Sequence, residues 1–436
     1  MLCAPATAGP SLDGSTRPTR LMPPVFYLLI AAQCVSALAD NALLIVTIAL
    51  LQQAGMPPWW APMLKVGFIA SYVLLAPFVG PLADAFPKAR LMACMNAVKL
   101  AGVLGLMFGL PPLAAFVVVG LGAAAYAPAK YGLATELVGP AQLVRANGWI
   151  EVTAVCAVLF GTGLGGLLVS TLFLHATTAA GLPLAVGTPS LLAVLGLYAL
   201  SGALNLGVHD SGMRRPASSI HPVALVRDFI DANRLLWHDR EGGLSLAVTT
   251  IFWGVGATLQ FAVLRWANEK MHLALDEAAL VQAGVAFGVI LGAVVAGTCV
   301  SLAKARRMLL AGVVFGLLMT LVAFTDRLAS AVALLMTVGA VGGLMVVPLN
   351  ALLQHRGYVL LSPGRSIAVQ GANENASVLV FLAIYAGLVA LDVPLSTLMI
   401  GLGLGVAAAL LALILREEAR DRREAVVATP WERAPR

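Results

Sequence analysis

The sequence predicts an all-α integral membrane protein with about twelve membrane-spanning helices. Of its 436 residues, 60% are hydrophobic and 11% are charged, whereas soluble domains carry about 25% charged residues. The mean hydropathy of +0.92 is too high for one soluble core. Most of the chain must therefore face lipid or other apolar helices.

Apolar runs of about 20 residues recur along the chain, and each can cross about 30 Å of hydrocarbon as a helix. The first run is too long for the core of a signal peptide, so we expect it to be a retained span. The predicted spans are 24–50, 62–83, 90–109, 112–136, 146–170, 187–207, 244–267, 277–301, 307–325, 328–352, 366–390 and 394–415.

Basic residues are unevenly divided between the two sides of the predicted spans. One side holds most of the Lys and Arg residues, among them Lys88, Arg90 and Arg306, whereas the opposite loops hold Lys270 and Arg327. Cytoplasmic loops are the ones enriched in Lys and Arg, so the asymmetry predicts that both termini are cytoplasmic. The net charge of +6 thus indicates topology rather than a nucleic-acid-binding face.

A long polar stretch separates the sixth and seventh spans. Around 222–237 it carries apolar residues at helical spacing, which predicts a helix that lies along the membrane surface or serves as a solvated linker. The predicted organisation is an N-terminal cytoplasmic tail (1–23), an N-terminal six-helix half (24–207), a cytoplasmic linker (208–243), a C-terminal six-helix half (244–415) and a basic cytoplasmic tail (416–436).

The two halves resemble each other at an offset of about 220 residues. Spans four and ten both carry a Gly-rich stretch that ends in a proline. Span five opens with Asn147 and Glu151, and span eleven opens with Gln370 and Glu374, each pair four residues apart. Parallel six-span repeats are typical of the major facilitator fold, in which the substrate path runs between the halves.

The loop between spans two and three reads Gly80-Pro-Leu-Ala-Asp84-Ala-Phe-Pro-Lys88-Ala-Arg90 and matches the loop motif of major facilitator proteins. Gly80 permits close helix contact, and Asp84 can hold the N-terminus of a neighbouring helix. Lys88 and Arg90 favour the cytoplasmic side. We expect this motif to act in conformational gating.

Charged groups inside spans cost about 2.5–3.5 kcal/mol on insertion scales, so they mark ion pairs or functional sites. Asp40 in span one needs a partner or a proton. Lys99 and Lys130 are the cations of the same half, and we expect Lys130 to be the partner because it follows Pro128 in a tightly packing helix. Asp40, Asn41 and Lys130 then either bind a polar or zwitterionic head or form a structural ion pair.

The positions of the other polar residues within the predicted spans indicate their roles. We expect Glu151 and Glu374 to cap or brace the cytoplasmic ends of spans five and eleven, and Lys99 to have a structural role. Gln260 lies deep enough in span seven to face a central cavity, whereas Arg265 is expected to anchor the membrane interface.

The sequence carries no enzyme signature. A phosphate-binding loop, the H-x4-D spacing of acyltransferases and a Ser/His/Asp grouping are all missing, and the five cysteines are scattered without metal-ligand spacing. We therefore expect no catalytic residues, no metal site and no cofactor.

Several of these stretches resemble the bacterial lysophospholipid transporter family of the major facilitator superfamily. The resemblance covers about 25–415. It rests on Ala-Leu-Ala-Asp40-Asn41-Ala-Leu-Leu, on the loop motif, on Tyr126-Ala-Pro128-Ala-Lys130-Tyr-Gly132, on Val347-Pro-Leu-Asn350 and on Ala368-Val-Gln370.

The resemblance implies flipping of lysophosphatidylethanolamine and lysophosphatidylglycerol across the bacterial inner membrane, by alternating access. On the cytoplasmic leaflet a separate acyltransferase/acyl-ACP synthetase would restore the second chain. A basic residue tends to occupy the position of Gln260 in the family, whereas the nearest arginine here is Arg265. The substrate-binding candidates are Asp40, Asn41, Tyr126, Lys130 and Gln260. A proton-coupled exporter of amphiphilic drugs or other lipids, with Asp40 titrating, is the alternative.

Overall fold

The computed structural model describes residues 22–57, 59–173, 175, 187–209, 211–214, 221–273 and 275–428, without the side chains of 275–280 and 425–428. Regular structure in these residues is helical. Short 3₁₀-helices, Pro140–Gln142 and Leu302–Met308, precede the fifth and tenth α-helices. The α-helices are α1 (Pro24–Gln53), α2 (Trp60–Ala85), α3 (Lys88–Met107), α4 (Pro112–Leu137), α5 (Leu143–Leu168), α6 (Thr188–Gly207), α7 (Pro222–His238), α8 (Arg240–Met271), α9 (Leu275–Cys299), α10 (Leu309–Val322), α11 (Leu328–Leu360), α12 (Pro363–Ala390) and α13 (Leu395–Ala428).

Twelve of the described helical segments are long and apolar enough to cross a membrane, which confirms the predicted all-α fold with twelve spans. They are α1–α6 and α8–α13, where the span of α10 includes the preceding 3₁₀-helix and runs from Leu302 to Val322. The largest boundary differences are at α11 and α13, which continue to Leu360 and Ala428. The extensions carry polar residues, at 354–356 in α11 and at 416–424 in α13. A hydropathy criterion ends a span where the apolar segment ends, even when the helix continues. Of the predicted tails and linker, residues 1–21, 210, 215–220 and 429–436 lie outside the described part of the chain.

Proline marks the first turn of several helices, including α1, α4, α7 and α12. It is tolerated there because the first N–H groups of a helix have no intrahelical acceptor. Pro128 in α4 and Pro348 in α11 lie instead within their helices. Neighbouring helices stabilise such interruptions inside a membrane bundle.

The two halves meet mainly along two helix pairs, α2 with α12 and α5 with α9. Both contacts depend on glycine. A Cβ atom at Gly80 would lie 2.9 Å from the Arg365 Cα, and one at Gly148 would lie 2.9 Å from the Ala293 carbonyl oxygen. The absence of side chains lets the backbones approach closely, as is usual for membrane helices.

Helices α9 and α11 form the most intimate pair within the C-terminal half, and Gly288 lies at their contact. A Cβ atom at Gly288 would overlap the Met336 carbonyl oxygen, whereas one at Gly284, a turn earlier, would lie 3.5 Å from the Met336 side chain. We expect Gly288→Ala to destabilise the protein by about 1–3 kcal/mol through overpacking. The matched Gly284→Ala variant should be neutral or gain up to about 1 kcal/mol of helix propensity.

Thermal unfolding of the detergent-solubilised protein measures this difference. Equal midpoints for the Gly284 and Gly288 variants would contradict the close approach of α9 and α11.

The linker helix α7 packs against α2 and α12. Asp228 accepts a hydrogen bond through its carbonyl oxygen from Arg365 at 3.3 Å, and the Trp237 Nε1 donates to the Asn373 Oδ1 at 3.1 Å. The opposite face exposes apolar side chains such as Val223, which is 70% exposed. The helix is therefore docked on the bundle, and its placement along the membrane surface stays a prediction.

Asp239 joins α7 to α8 and caps the N-terminus of α8. Its Oδ2 accepts from the Gly242 N–H at 2.8 Å, and both carboxylate oxygens accept from the Arg356 guanidinium, at 2.5 and 3.0 Å. The Arg356 hydrogen bonds hold the pKa of Asp239 below its usual range. The polar end of α11 is thereby fixed to the first turn of α8.

Candidate functional site

A cavity of about 270 Å³ lies between the two halves. Helices α2 and α4 of the N-terminal half and α8, α11 and α12 of the C-terminal half line it. The wall is largely apolar and aromatic, with a small number of polar groups. The polar and aromatic lining residues include Tyr72, Lys130, Tyr131, Trp253, Asn350, Gln370, Glu374 and Asn375.

Lys130 supplies positive charge on the N-terminal side of this cavity. Its Nζ lies 4.1 Å from the centroid of the Tyr131 ring. Among the described residues no carboxylate oxygen lies within 4 Å of that nitrogen, and Glu151 and Asp40 interact with it only at longer range. The half-buried ammonium group is therefore available to an anion in the cavity.

The C-terminal side of the cavity carries hydrogen-bonding groups on α11 and α12. The Gln370 Nε2 donates to the Glu374 Oε1 at 2.8 Å and to the Asn350 Oδ1 at 3.0 Å. The Gln370 Oε1 and the Trp253 Nε1 are buried and find no partner in the described part of the chain. Buried polar atoms are normally satisfied, so these two mark positions where a ligand can bind.

Glu151 and Glu374 do not lie at helix ends, and the prediction that they cap α5 and α12 is wrong. They lie about two and three turns inside these helices. The helices begin three residues before the predicted starts because their first turns are too polar for a hydropathy criterion. Glu151 is 6% exposed and close enough to Lys130 and Glu374 to interact electrostatically with both.

Asp40 pairs with Lys99, and the predicted pairing with Lys130 is wrong. The Lys99 Nζ lies 2.8 and 2.9 Å from the two carboxylate oxygens of Asp40, and the Tyr198 hydroxyl donates to Oδ1 at 2.7 Å. Lys99 is 2% exposed. The sequence contains two lysines in the spans of this half. Which of them lies next to Asp40 depends on the packing of α1 and of α3 against α6.

Further hydrogen bonds extend this ion pair into a network that joins α1, α3 and α6. The Ser36 hydroxyl accepts from the Lys99 Nζ at 3.0 Å and donates to the Asn96 Oδ1 at 2.9 Å. The Asn96 amide then donates to the Ser201 hydroxyl at 2.9 Å. These contacts favour the structural ion pair over a head-group role for Asp40.

The remaining substrate-binding candidates lie away from the cavity lining. Asn41 donates to the Ala37 carbonyl oxygen of its own helix at 2.8 Å. Tyr126 is 5% exposed, and the Lys99 ammonium lies 5.4 Å from its ring centroid. Gln260 is half-buried on α8. Of the five candidates, Lys130 is the one that lines the cavity.

One end of the bundle is closed by the loop motif. Asp84, at the end of α2, accepts from the backbone N–H groups of Gly364 at 2.9 Å and Arg365 at 3.2 Å, and from the Ser362 hydroxyl. A carboxylate is favourable at a helix N-terminus, where the first N–H groups lack acceptors. Asp84 of one half thus caps α12 of the other.

Two further contacts lie at the same end. Lys88 is buried and forms an ion pair with Glu136 at 2.8 Å, whereas Arg90 is exposed. The side-chain amides of Asn147 and Gln354 exchange two hydrogen bonds of 2.9 Å between α5 and α11. The halves are therefore in direct contact at this end, and the cavity lies beyond the contact.

Sequence comparison relates the chain to transporters. The sequence model of the Major Facilitator Superfamily matches residues 28–373. The lysophospholipid transporter LplT of Yersinia pestis (strain Pestoides F) is 41% identical over 368 residues, which cover 84% of this chain and 87% of that protein. The LplT of Yersinia pseudotuberculosis serotype O:3 (strain YPIII) matches with the same identity and coverage.

Solved structures share the fold at low sequence identity. A bacterial homologue of the iron transporter ferroportin, in an outward-facing state, matches with a TM-score of 0.69 and 13% identity, over 91% of this chain and 99% of that one. A variant of the E. coli fucose:proton symporter FucP matches with a TM-score of 0.70 and 14% identity, over 90% of this chain and 98% of that one. At these identities the likeness concerns the fold alone.

Proposed function

This chain belongs to the major facilitator superfamily, within the family of its lysophospholipid transporters, and on that premise we propose that it flips lysophospholipids to the cytoplasmic leaflet by alternating access. It is a transporter rather than an enzyme. The observation that carries the proposal is the interhalf cavity, where the Lys130 ammonium, without an ion-pair partner among the described residues, projects from a largely apolar wall. A lysophospholipid combines one phosphate with one acyl chain, and both features match this lining.

The proposed orientation rests on charge. The Lys- and Arg-rich loops adjoin the end where Asp84 caps α12, so that end is cytoplasmic and both termini with it. The contacts of Asp84 and of Asn147 then form the cytoplasmic gate, closed in this conformation. Release toward the cytoplasm requires these contacts to break. In a bacterial cell the corresponding location is the inner membrane.

The chemistry of the product assigns a place in lipid turnover. A lysophospholipid delivered to the cytoplasmic leaflet lacks one acyl chain. We expect a separate acyltransferase that uses activated acyl groups to restore that chain. We expect the two activities to act in sequence on the same lipid.

Reconstitution into proteoliposomes tests the function. Lysophosphatidylethanolamine with a labelled acyl chain is added outside, and the protected fraction is measured after extraction of the outer leaflet with albumin. Protected label should accumulate faster than in protein-free vesicles, and diacyl phosphatidylethanolamine should not move. Absence of lysolipid movement, with proton-driven movement of an amphiphilic drug in the same vesicles, would replace this function by drug export.

A further inference from the structure

We infer that Glu374 and Gln370 form a subsite for the ammonium group of an amine-bearing head group, opposite the phosphate position at Lys130, and that the buried Glu151 adds negative charge nearby. This inference rests on the proposed function and deepens it, because it assigns specificity to residues of the cavity. Glu374 and Gln370 line the cavity from α12. Lys130 lines it from α4, in the other half.

The acceptors of this subsite have free capacity. A carboxylate accepts about four hydrogen bonds, and the hydrogen bond described for Glu374 is the one from the Gln370 amide, at 2.8 Å. Gln370 is 7% exposed, and its Oε1 has no donor among the described residues. The donating amide of Gln370 is fixed between Asn350 and Glu374, so its carbonyl oxygen stays available at the wall. An ammonium group carries three donors and fits this arrangement.

Charge favours a cation at the same place. Glu151 and Glu374 come from corresponding positions of the two halves and are close enough to repel each other. Lys130 acts on Glu151 at long range, and no described ion pair neutralises either carboxylate. A ligand ammonium near Glu374 relieves this repulsion.

A zwitterionic head group would therefore bridge the two halves. Its phosphate binds Lys130 of α4, and its amine binds Glu374 of α12. A head group with a phosphate but no charged amine makes only the contact with Lys130. The amine contact should thus favour a lipid with a charged amine over a lipid of the same backbone whose amine carries no charge.

The test is a cycle of two lipids and two proteins in proteoliposomes. The lipids are lysophosphatidylethanolamine and its N-acetylated form, which lacks the ammonium charge, and the proteins are the wild type and Glu374→Gln. One charge-assisted hydrogen bond corresponds to about tenfold in transport, so we expect the wild type to favour the free amine about tenfold. In Glu374→Gln the ratio should approach one, and Glu374→Asp should restore part of it.

Glu418→Gln, on the exposed end of α13, is the matched control and should leave the ratio unchanged. Steric effects of the acetyl group appear equally in both proteins, so the ratio isolates the charge. An equal ratio in wild type and Glu374→Gln overturns the subsite. If Glu374→Gln does not fold, a wild type that carries both lipids equally still overturns the inference without any variant. A wild type that carries neither lipid contradicts the proposed function instead.

Discussion

Removal of either Asp40 or Lys99 alone should destabilise the protein by about 3–5 kcal/mol, because it leaves one buried charge without its partner. The Lys99 ammonium is 2% exposed and lies 2.8 Å from the Asp40 carboxylate. Asp40 also accepts a hydrogen bond from Tyr198, so its loss leaves a hydroxyl as well as an ammonium unsatisfied. Asp40→Ala and Lys99→Ala are the two single variants.

The double variant Asp40→Ala/Lys99→Ala separates the effect of the unpaired charge from the loss of packing. It loses the packing of both side chains but leaves no unpaired charge, so it should lose less stability than the two single variants added together. The exposed pair Arg422 and Glu418, 3.8 Å apart, is the control, and Arg422→Ala should cost less than about 1 kcal/mol. Thermal unfolding in detergent measures all four proteins.

Two outcomes would contradict the structural assignment of this pair. One is an Asp40→Ala variant as stable as the wild type. The other is a double variant that is stable but inactive in lysolipid transport, since this result would give Asp40 a role in substrate binding or transport. A double variant that is stable and active supports the view that the pair holds α1, α3 and α6 together.

Hydropathy was sufficient to predict the fold because a bilayer imposes one length and one polarity on every span. It failed at the ends of α11 and α13, where polar helix continues beyond the apolar segment. It also located the starts of α5 and α12 three residues late. The assignment of Glu151 and Glu374 to helix ends does not follow from this error, because even the predicted starts leave Glu374 more than two turns inside its helix.

The site was only partly predictable for a different reason. Lys130 was found because a charge within a span is rare, and that signal is local. Whether Lys99 or Lys130 pairs with Asp40 depends on which helix faces pack together. The residues near Asp40 in the sequence do not determine this packing. Trp253 and Gln370 share the difficulty, since tryptophan and glutamine in spans are common packing residues. The correspondence of Glu151 with Glu374 across the repeat was the available signal for an interhalf site.

The second large effect is expected at Lys130. Lys130→Met should lower lysophospholipid transport by about ten- to a hundredfold, because a charge-assisted hydrogen bond to phosphate is worth about 1.5–3 kcal/mol. Its stability should stay close to that of the wild type, since the ammonium has no described ion pair that the change would break. Lys130→Arg keeps the charge and should retain part of the activity.

Lys99 and Lys130 should respond differently to substitution, because their surroundings differ. Both lysines lie in spans of the same half, but Lys99 is paired and buried, whereas Lys130 lies at the cavity wall with no ion pair to any described residue. Lys65→Met is the matched control, because Lys65 is a half-buried lysine of α2 outside the cavity lining. Transport of lysophosphatidylethanolamine and of lysophosphatidylglycerol should fall together in Lys130→Met, because both carry the phosphate. Full transport in a folded Lys130→Met protein would exclude the phosphate contact and with it the assignment of the cavity as the head-group site.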